Sequence, residues 1–179
     1  AAFLAPDEAS ALFDDLRHGI AWEIHRIRMF GREVDSPRLS CWIGDAGAGY
    51  VYSGTRFEPR PWLPVLSALR ERLAAACDTR FNSVLANLYR DGRDGMGWHS
   101  DDEPELGPRP VIASLSLGAT RRFSLKHRRD AGQKLTLDLP AGSLLLMRGD
   151  TQENYRHALP KTAKTVGERI NLTFRRIIP

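Results

Sequence analysis

Two histidines and an aspartate in the C-terminal half have the residue types and spacing of a metal site. His99 and Asp101 stand two residues apart in GWHSDDE, so an extended backbone would place both side chains on one face. His157, in NYRHALP just before the last predicted strand, is the best third ligand among the five histidines. Two imidazoles and one carboxylate leave about three positions open on an octahedral ion, as in the facial triad of non-haem Fe(II) oxygenases. Zinc is the rival ion for this ligand set, and hydrogen-bonded loop histidines without a metal are the simpler alternative.

The last predicted strand carries two arginines on one polar face. Polar and apolar residues alternate in RINLTFR, so that Arg169, Asn171 and Arg175 project to the same side. Buried guanidinium groups need anionic partners, and arginine binds carboxylates through two parallel hydrogen bonds. Asn87 and Tyr89 alternate in the same way in LANLYRDG and add an amide and a phenol. These residues predict a pocket for a short dicarboxylate, whereas exposed charge on an edge strand is the alternative for each arginine.

The elements that must position these residues change type near Asn82. Before it, apolar stripes predict one helix over residues 7–17 and a second from 61–64 to about Cys77. After it, the apolar residues alternate with a period of two, which predicts strands, and 130–132 has the composition of a hairpin turn. This order predicts an α+β, jelly-roll-like domain, in which an N-terminal helical layer packs on a C-terminal antiparallel sandwich or barrel. The five predicted strands cover 111–118, 121–128, 134–139, 142–149 and 169–177.

The composition is that of one ordinary globular domain. Of the 179 residues, 42% are hydrophobic and 27% are charged, which excludes disordered, collagen-like and coiled-coil classes. No stretch approaches the ~20 apolar residues of a transmembrane helix, and the first residues lack the basic-then-apolar pattern of a signal peptide. Cys41 and Cys77 have no paired spacing, which favours a reducing compartment over a disulfide framework. We therefore expect a cytoplasmic monomer that does not associate with membranes.

The positive charge of the chain is concentrated in its C-terminal half. The net charge of +4 permits a polyanionic partner without requiring one. Basic residues cluster at 121–122, 126–129 and 175–176. A basic face there would suit nucleic-acid phosphates, whereas a solvated surface is the plain alternative.

The order of these motifs resembles the AlkB family of Fe(II)- and 2-oxoglutarate-dependent dioxygenases. The pattern N-x-Y…H-x-D…H…R-x-N-x-x-x-R extends over most of the chain, and the RINLTFR strand is its most specific part. The resemblance implies a double-stranded β-helix (jelly-roll) core with N-terminal helices packed on one sheet. In one dioxygenase domain, residues 1–82 would form the helical and substrate-recognition layer and residues 83–179 the β-helix core.

The same resemblance implies the cofactors and the residues that hold them. It implies Fe(II) bound by His99, Asp101 and His157, with 2-oxoglutarate and O2 as co-substrates. Arg169 would hold the distal carboxylate of 2-oxoglutarate, and Arg175 would lie near the end that chelates iron. The full set implied for 2-oxoglutarate is Asn87, Tyr89, Arg169, Asn171 and Arg175.

Further segments resemble the subgroup that repairs alkylated bases in duplex DNA, namely FGREV, GDAGAGYVYSG, DDEPELGP and AGSLLLM. The implied reaction is oxidative demethylation of 1-methyladenine and 3-methylcytosine in DNA. It would be coupled to decarboxylation of 2-oxoglutarate to succinate and would release formaldehyde. The implied DNA contacts are Phe30 as a wedge in the gap left by a flipped base, Tyr50, Tyr52, Asp102 and Glu103 around the base, and Lys126 and Arg128 on phosphates.

Two departures from the family pattern bear on substrate preference. Leu88 stands where many members have arginine, and Trp98 is a bulky residue directly before the first implied iron ligand. The alternatives to DNA are RNA, a protein or a small metabolite as the substrate of a dioxygenase with the same fold. A non-enzymatic nucleic-acid-binding module with structural His and Asp residues is the alternative from another class.

Overall fold

The computed structural model describes residues 2–29, 32–52, 55–130 and 132–178. The helices are α1 (Pro6–Gly19), α2 (Pro64–Cys77) and α3 (Thr151–Asn154), with a short 3-10 helix over Pro104–Leu106. The N-terminal strands are β1 (Arg26–Met29), β2 (Arg32–Asp35), β3 (Leu39–Gly44), β4 (Tyr50–Tyr52) and β5 (Thr55–Phe57). The later strands are β6 (Ser83–Tyr89), β7 (Met96–His99), β8 (Ile112–Gly118), β9 (Arg121–His127), β10 (Lys134–Leu139), β11 (Leu144–Met147), β12 (Tyr155–Leu159) and β13 (Arg169–Arg175).

Two antiparallel sheets form the core of the fold. The major sheet has five strands in the order β11-β8-β13-β6-β3, and the minor sheet has four in the order β10-β9-β12-β7. The hairpins β1-β2 and β4-β5 form two separate two-stranded sheets. This arrangement confirms the expected jelly-roll with few helices. From β6 onward, all consecutive strands except the β9-β10 hairpin alternate between the two sheets, so residues distant in sequence meet in the space between them.

The helices α1 and α2 cover the outer face of the major sheet, as expected. Each begins with proline in its first turn, where the missing N–H leaves no hydrogen bond unmade. Their apolar stripes place Leu16 and Leu73 in one cluster with Leu172 of β13, and all three side chains are fully buried. Because β13 is pleated, its apolar side chains face the helices and its polar side chains face the minor sheet. Burial on one side of this strand therefore fixes the direction of the polar side chains on the other.

The N-terminal part is not only a helical layer. The strand β3 pairs with β6 as the edge of the major sheet, with Ser40 opposite Asn87. Cys41 packs with the helices on one face of β3, while Trp42 packs between the sheets on the other. The division at residue 82 therefore does not coincide with the sheet boundary. A six-residue strand with mixed polar and apolar residues gave no clear period of two.

Some sequence expectations concern segments outside the two sheets. Phe30 lies outside the described residues, between β1 and β2, which pair antiparallel. Tyr50 and Tyr52 belong to β4, which pairs with β5. Both cysteines are buried and free of disulfide bonds. No helix in the described part of the chain has the length and apolarity to cross a membrane.

Candidate active site

A cavity lies between the two sheets and opens to solvent. The space between its walls is about 440 Å³, which includes open solvent at the mouth. All eight residues that the sequence predicted for the metal and the dicarboxylate line this cavity. They are His99, Asp101, His157, Asn87, Tyr89, Arg169, Asn171 and Arg175.

Pairing of β7 with β12 brings the two histidines together. His157 lies inside β12, directly opposite His99 at the end of β7, and their ring centroids are 4.2 Å apart. Asp101 follows β7, and its Oδ1 lies 3.7 Å from His99 Nε2. One ligand atom from each of the three residues lies within 4.8 Å of the others. This distance suits three ligands on one face of a single ion.

The protonation and hydrogen bonding of the histidines fit a metal site. His99 Nδ1 lies 2.8 Å from the Gly97 carbonyl oxygen, so a proton on Nδ1 would leave Nε2 as the free ligand atom. His157 Nδ1 is buried and forms no hydrogen bond with the described residues. Burial, with the nearby His99 next in effect, lowers the pKa of His157 to about 4. Burial likewise lowers the pKa of His99, so both rings are neutral at pH 7 and able to bind a metal.

The carboxylate of Asp101 is held in its ionised form. Burial alone would raise its pKa, but the charge of Arg175, with His157 and His99 next in effect, lowers the pKa to about 2. Arg175 donates to Oδ2 of Asp101 from Nη2 at 2.9 Å and from Nε at 3.2 Å. Oδ1 is thus the oxygen that faces His99. Two neutral imidazoles and one fixed carboxylate are the donor set that Fe(II) takes in a facial triad.

Arg169 lies on the other end of β13 and has the features of a carboxylate-binding group. Its side chain is only 1% exposed and forms no ion pair with a carboxylate in the described part of the chain. Nη2 donates to Ser116 Oγ at 2.9 Å, while the buried Nε has no partner. The guanidinium lies over the ring of Tyr89, 5.4 Å from its centroid. Burial lowers the pKa of Arg169 to about 10, so it remains charged at pH 7 and would gain from an anionic ligand.

The two asparagines of the pocket differ in their hydrogen bonds. Nδ2 of Asn171 donates to Ser114 Oγ at 2.8 Å and to the Leu115 carbonyl at 3.0 Å. Asn87 instead accepts a hydrogen bond on Oδ1 from Arg38 Nε at 2.8 Å. The amide nitrogen of Asn171 is therefore already engaged by β8, whereas that of Asn87 forms no hydrogen bond within the described residues. Asn171 therefore lines the pocket with its amide nitrogen already bound within the major sheet.

Sequence reasoning missed several residues that support the site. Arg38 is buried beside Asn87, and Gln152 of α3 accepts from the backbone N–H of Asp101 at 2.9 Å. Arg121 also lies near the Tyr89 ring, 6.0 Å from its centroid, and donates to three backbone carbonyls. Each contact joins residues that are distant in sequence. No local pattern could have revealed them.

The residues predicted to contact DNA are arranged differently from the expectation. Asp102, expected at the base, forms an ion pair with Arg128, expected at a phosphate. The ammonium of Lys126 lies 4.3 Å from the centroid of Trp98, a side chain that is 45% exposed. Glu103 is half-buried next to this pair. These residues form a partly exposed polar and aromatic surface, and three of them are next in sequence to His99 or close to Asp101.

Comparisons with known proteins support the interpretation of the cavity as an active site. A family model described as the 2OG-Fe(II) oxygenase superfamily matches residues 1–175. "DNA oxidative demethylase ALKBH2" of Mus musculus is 38% identical over 182 residues, which cover 96% of this chain and 76% of the relative. "Alpha-ketoglutarate-dependent dioxygenase alkB homolog 3" of Mus musculus is 40% identical over 189 residues, covering 99% of this chain and 64% of the relative. The solved structure of OsALKBH1 has a TM-score of 0.70 over 97% of this chain and 93% of that chain, with 18% identity, and supports the fold.

The family fixes the class of reaction and its cofactors. The chain is an Fe(II)- and 2-oxoglutarate-dependent dioxygenase that uses O2, and a non-enzymatic nucleic-acid-binding module is thereby excluded. The donor set of the His99, Asp101 and His157 cluster and the partnerless Nε of Arg169 agree with those cofactors. With its motifs in the family order and its relatives matched over almost the whole chain, this protein belongs to the AlkB family.

Proposed function

We propose that this enzyme removes methyl groups from N-alkylated bases in DNA, with 1-methyladenine and 3-methylcytosine as substrates. The observation that carries the proposal is the single cavity that combines the histidine–aspartate cluster with two buried arginines. The names of the matched relatives, a DNA oxidative demethylase among them, support DNA as the substrate. RNA, protein or a small metabolite in place of DNA would be an outcome of the tests below.

His99, Asp101 and His157 would hold Fe(II), and their roles follow from their surroundings. The bound metal, with 2-oxoglutarate and O2, supplies the oxidising power that hydroxylates the N-methyl carbon. One oxygen atom enters succinate as CO2 leaves, the other enters the methyl group, and the hydroxymethyl product releases formaldehyde. Arg175 fixes Asp101 through Oδ2, so the carboxylate presents Oδ1 toward the imidazoles.

The co-substrate would lie along β13, with one end at each arginine. Arg169 is fully buried and would bind the distal carboxylate, while Arg175 is bound to Asp101 at the metal end. Asn87 and Tyr89 complete the wall on β6, which pairs with β13 in direct register. The phenol of Tyr89 and the amide of Asn87 are hydrogen-bond donors for the carboxylates. An arginine at each end of the pocket would favour a dicarboxylate over a ligand with a single carboxylate.

Recognition of the base requires that it leave the helical stack. A stacked base cannot reach a cavity between two sheets, and a damaged, poorly paired base costs less to flip. 1-Methyladenine and 3-methylcytosine carry a positive charge. The carboxylates of Asp102 and Glu103 would therefore favour these bases over neutral ones. The ion pair of Asp102 with Arg128 fixes this carboxylate and joins it to the basic segment that would contact phosphates.

The proposal is tested by a product assay on oligonucleotides that carry one methylated base. With Fe(II) and 2-oxoglutarate, mass spectrometry should show loss of the methyl group in step with succinate and formaldehyde. Duplex and single-stranded DNA and RNA of the same sequence are compared, and unmethylated oligonucleotides are the control. If the enzyme binds 2-oxoglutarate but demethylates none of them, the assignment of nucleic acid as substrate is wrong.

Lys126→Ala should weaken DNA binding and reduce its dependence on salt. Each phosphate contact contributes about 0.9 to the slope of log affinity against log salt concentration, so loss of one contact should lower the slope by about that amount. Fluorescence anisotropy of a labelled duplex over a salt series measures the slope. Arg122→Ala is the matched control, because Arg122 is an exposed cation on the same face of the same strand, next to Asp138. Equal slopes for Lys126→Ala and the wild type would remove Lys126 from the DNA surface.

Phe30→Ala should reduce demethylation of duplex DNA more than that of single-stranded DNA. The expectation rests on the sequence, where Phe30 precedes Gly31 in a segment rich in charge. An apolar wedge fills the gap that a flipped base leaves in a duplex, and a single strand has no such gap. Initial rates on both substrates measure the ratio. An equal loss on both would assign Phe30 to general folding or binding instead of strand separation.

A further inference from the structure

Arg38 is a buried cation beside the pocket that has no assigned part in the reaction. It lies between β2 and β3, in a loop fixed by two backbone contacts: Ser36 N–H donates to the His25 carbonyl, and Gly95 N–H donates to the Pro37 carbonyl. The Arg38 side chain is 5% exposed. It stands two residues before Ser40, whose direct partner on β6 is Asn87. The guanidinium thus lies behind Asn87, a residue of the pocket wall.

The hydrogen bond of Arg38 determines what Asn87 presents to the pocket. Arg38 forms no ion pair with a carboxylate in the part of the chain that the structure describes, and its Nε lies 2.8 Å from Oδ1 of Asn87. Arginine can only donate hydrogen bonds, so the amide atom that faces it must be the oxygen. The amide nitrogen must then point the opposite way. Asn87 lines the cavity, so this nitrogen is the amide atom left available to a ligand there.

We propose that Arg38 is a positioning residue that fixes the amide of Asn87 as a hydrogen-bond donor to a carboxylate of 2-oxoglutarate. Without Arg38 the amide could rotate, and its oxygen would then face the carboxylate and repel it. The neighbouring Asn171 shows the contrast, because its amide nitrogen already donates to Ser114 and to the Leu115 carbonyl. Of these two asparagines, Asn87 is the one whose amide nitrogen forms no hydrogen bond within the described residues. The inference rests on the proposed contact between Asn87 and 2-oxoglutarate.

The test is a double-mutant cycle on 2-oxoglutarate binding. Calorimetry on the protein loaded with Mn(II), which binds the same ligand types without turnover, measures the dissociation constant. Arg38→Met should raise this constant about tenfold, since a charge-assisted hydrogen bond no longer orients the amide. In an Asn87→Ala background the same substitution should change it less than twofold. Arg60→Met, an arginine of the same N-terminal layer that pairs with Glu23 at the surface, is the matched control.

The cycle separates the outcomes for the two residues. Equal effects of Arg38→Met in both backgrounds, or no effect in the wild type, would overturn the inference. If Asn87→Ala itself leaves binding unchanged, the assigned contact of Asn87 is wrong, and demethylation by the wild type still tests the proposed function separately. In steady state, Arg38→Met should raise KM for 2-oxoglutarate with little change in kcat.

A second variant keeps Arg38 in place, so its result does not depend on tolerance of a substitution at a buried arginine. Asn87→Asp replaces the amide nitrogen with a charged oxygen, and Arg38 would pair with the new carboxylate and hold it in place. We expect Asn87→Asp to bind 2-oxoglutarate at least tenfold more weakly than Asn87→Ala. Binding by Asn87→Asp that equals or exceeds that of Asn87→Ala would contradict the orienting part of Arg38.

Discussion

Asp101→Ala and His157→Ala should each abolish conversion of 2-oxoglutarate to succinate. Each substitution removes one of three ligands that already leave about half of an octahedral ion open, so the metal would be lost or misplaced. Succinate formation and the Fe(II) content after anaerobic loading measure the effect. His127→Ala is the control, because this histidine lies on β9 next to Tyr155, outside the lining of the cavity. Undiminished succinate formation by both variants would rule out the triad.

The surroundings of Asp101 show which variant gives the clearest result. Asp101→Ala also removes the carboxylate that pairs with the buried Arg175, and breaking a buried ion pair in this way costs about 3–5 kcal/mol of stability. Asp101→Asn retains an oxygen that can accept from Arg175 and should lose less stability. We therefore expect Asp101→Asn to melt closer to the wild type than Asp101→Ala, while both lack turnover. A variant that folds but does not react assigns the loss to the metal site.

The parts of the site that could be predicted from sequence are those encoded by a local period. Alternation along β13 placed Arg169 and Arg175 on one face, and the spacing of His99 and Asp101 placed both beside one cavity. A period of two requires only an extended backbone, so residues that are close in sequence are sufficient to detect it. The helical period of 3.6 residues is equally local, and it predicted both long helices, whose apolar stripes pack on the major sheet.

The parts that could not be predicted depend on contacts between distant residues. His157 was expected just before the last strand, but it lies within β12, and only the pairing with β7 sets it opposite His99. Arg38 meets Asn87 across 49 positions, and Arg128 meets Asp102 across 26. Strand register and strand order determine such pairs, and no local sequence pattern predicts either of them. The ion pair of Asp102 in particular joins two residues that the sequence had assigned to separate parts of DNA recognition.

Arg169→Met should affect ligand binding and stability in opposite directions. It should weaken 2-oxoglutarate binding by about 2–5 kcal/mol, or roughly 30-fold to several thousand-fold, because a buried carboxylate loses its charged partner. In the protein without ligand, however, Arg169 is a buried cation with no carboxylate in the described residues and a partnerless Nε. Methionine has a similar length and removes the cost of that charge. The free energy of unfolding of the ligand-free variant should therefore equal or exceed that of the wild type.

Thermal melting with and without 2-oxoglutarate measures both effects in one experiment. The wild type loaded with Mn(II) should gain stability as 2-oxoglutarate is added, since a ligand that binds only the folded state raises the melting temperature. Arg169→Met should start at an equal or higher temperature and gain little. Arg122→Met, at an exposed site on β9, should follow the wild type throughout. A variant that gains as much as the wild type would show that the distal carboxylate is bound elsewhere, whereas a large loss of stability without ligand would mean that Ser116 and Tyr89 already compensate the buried charge.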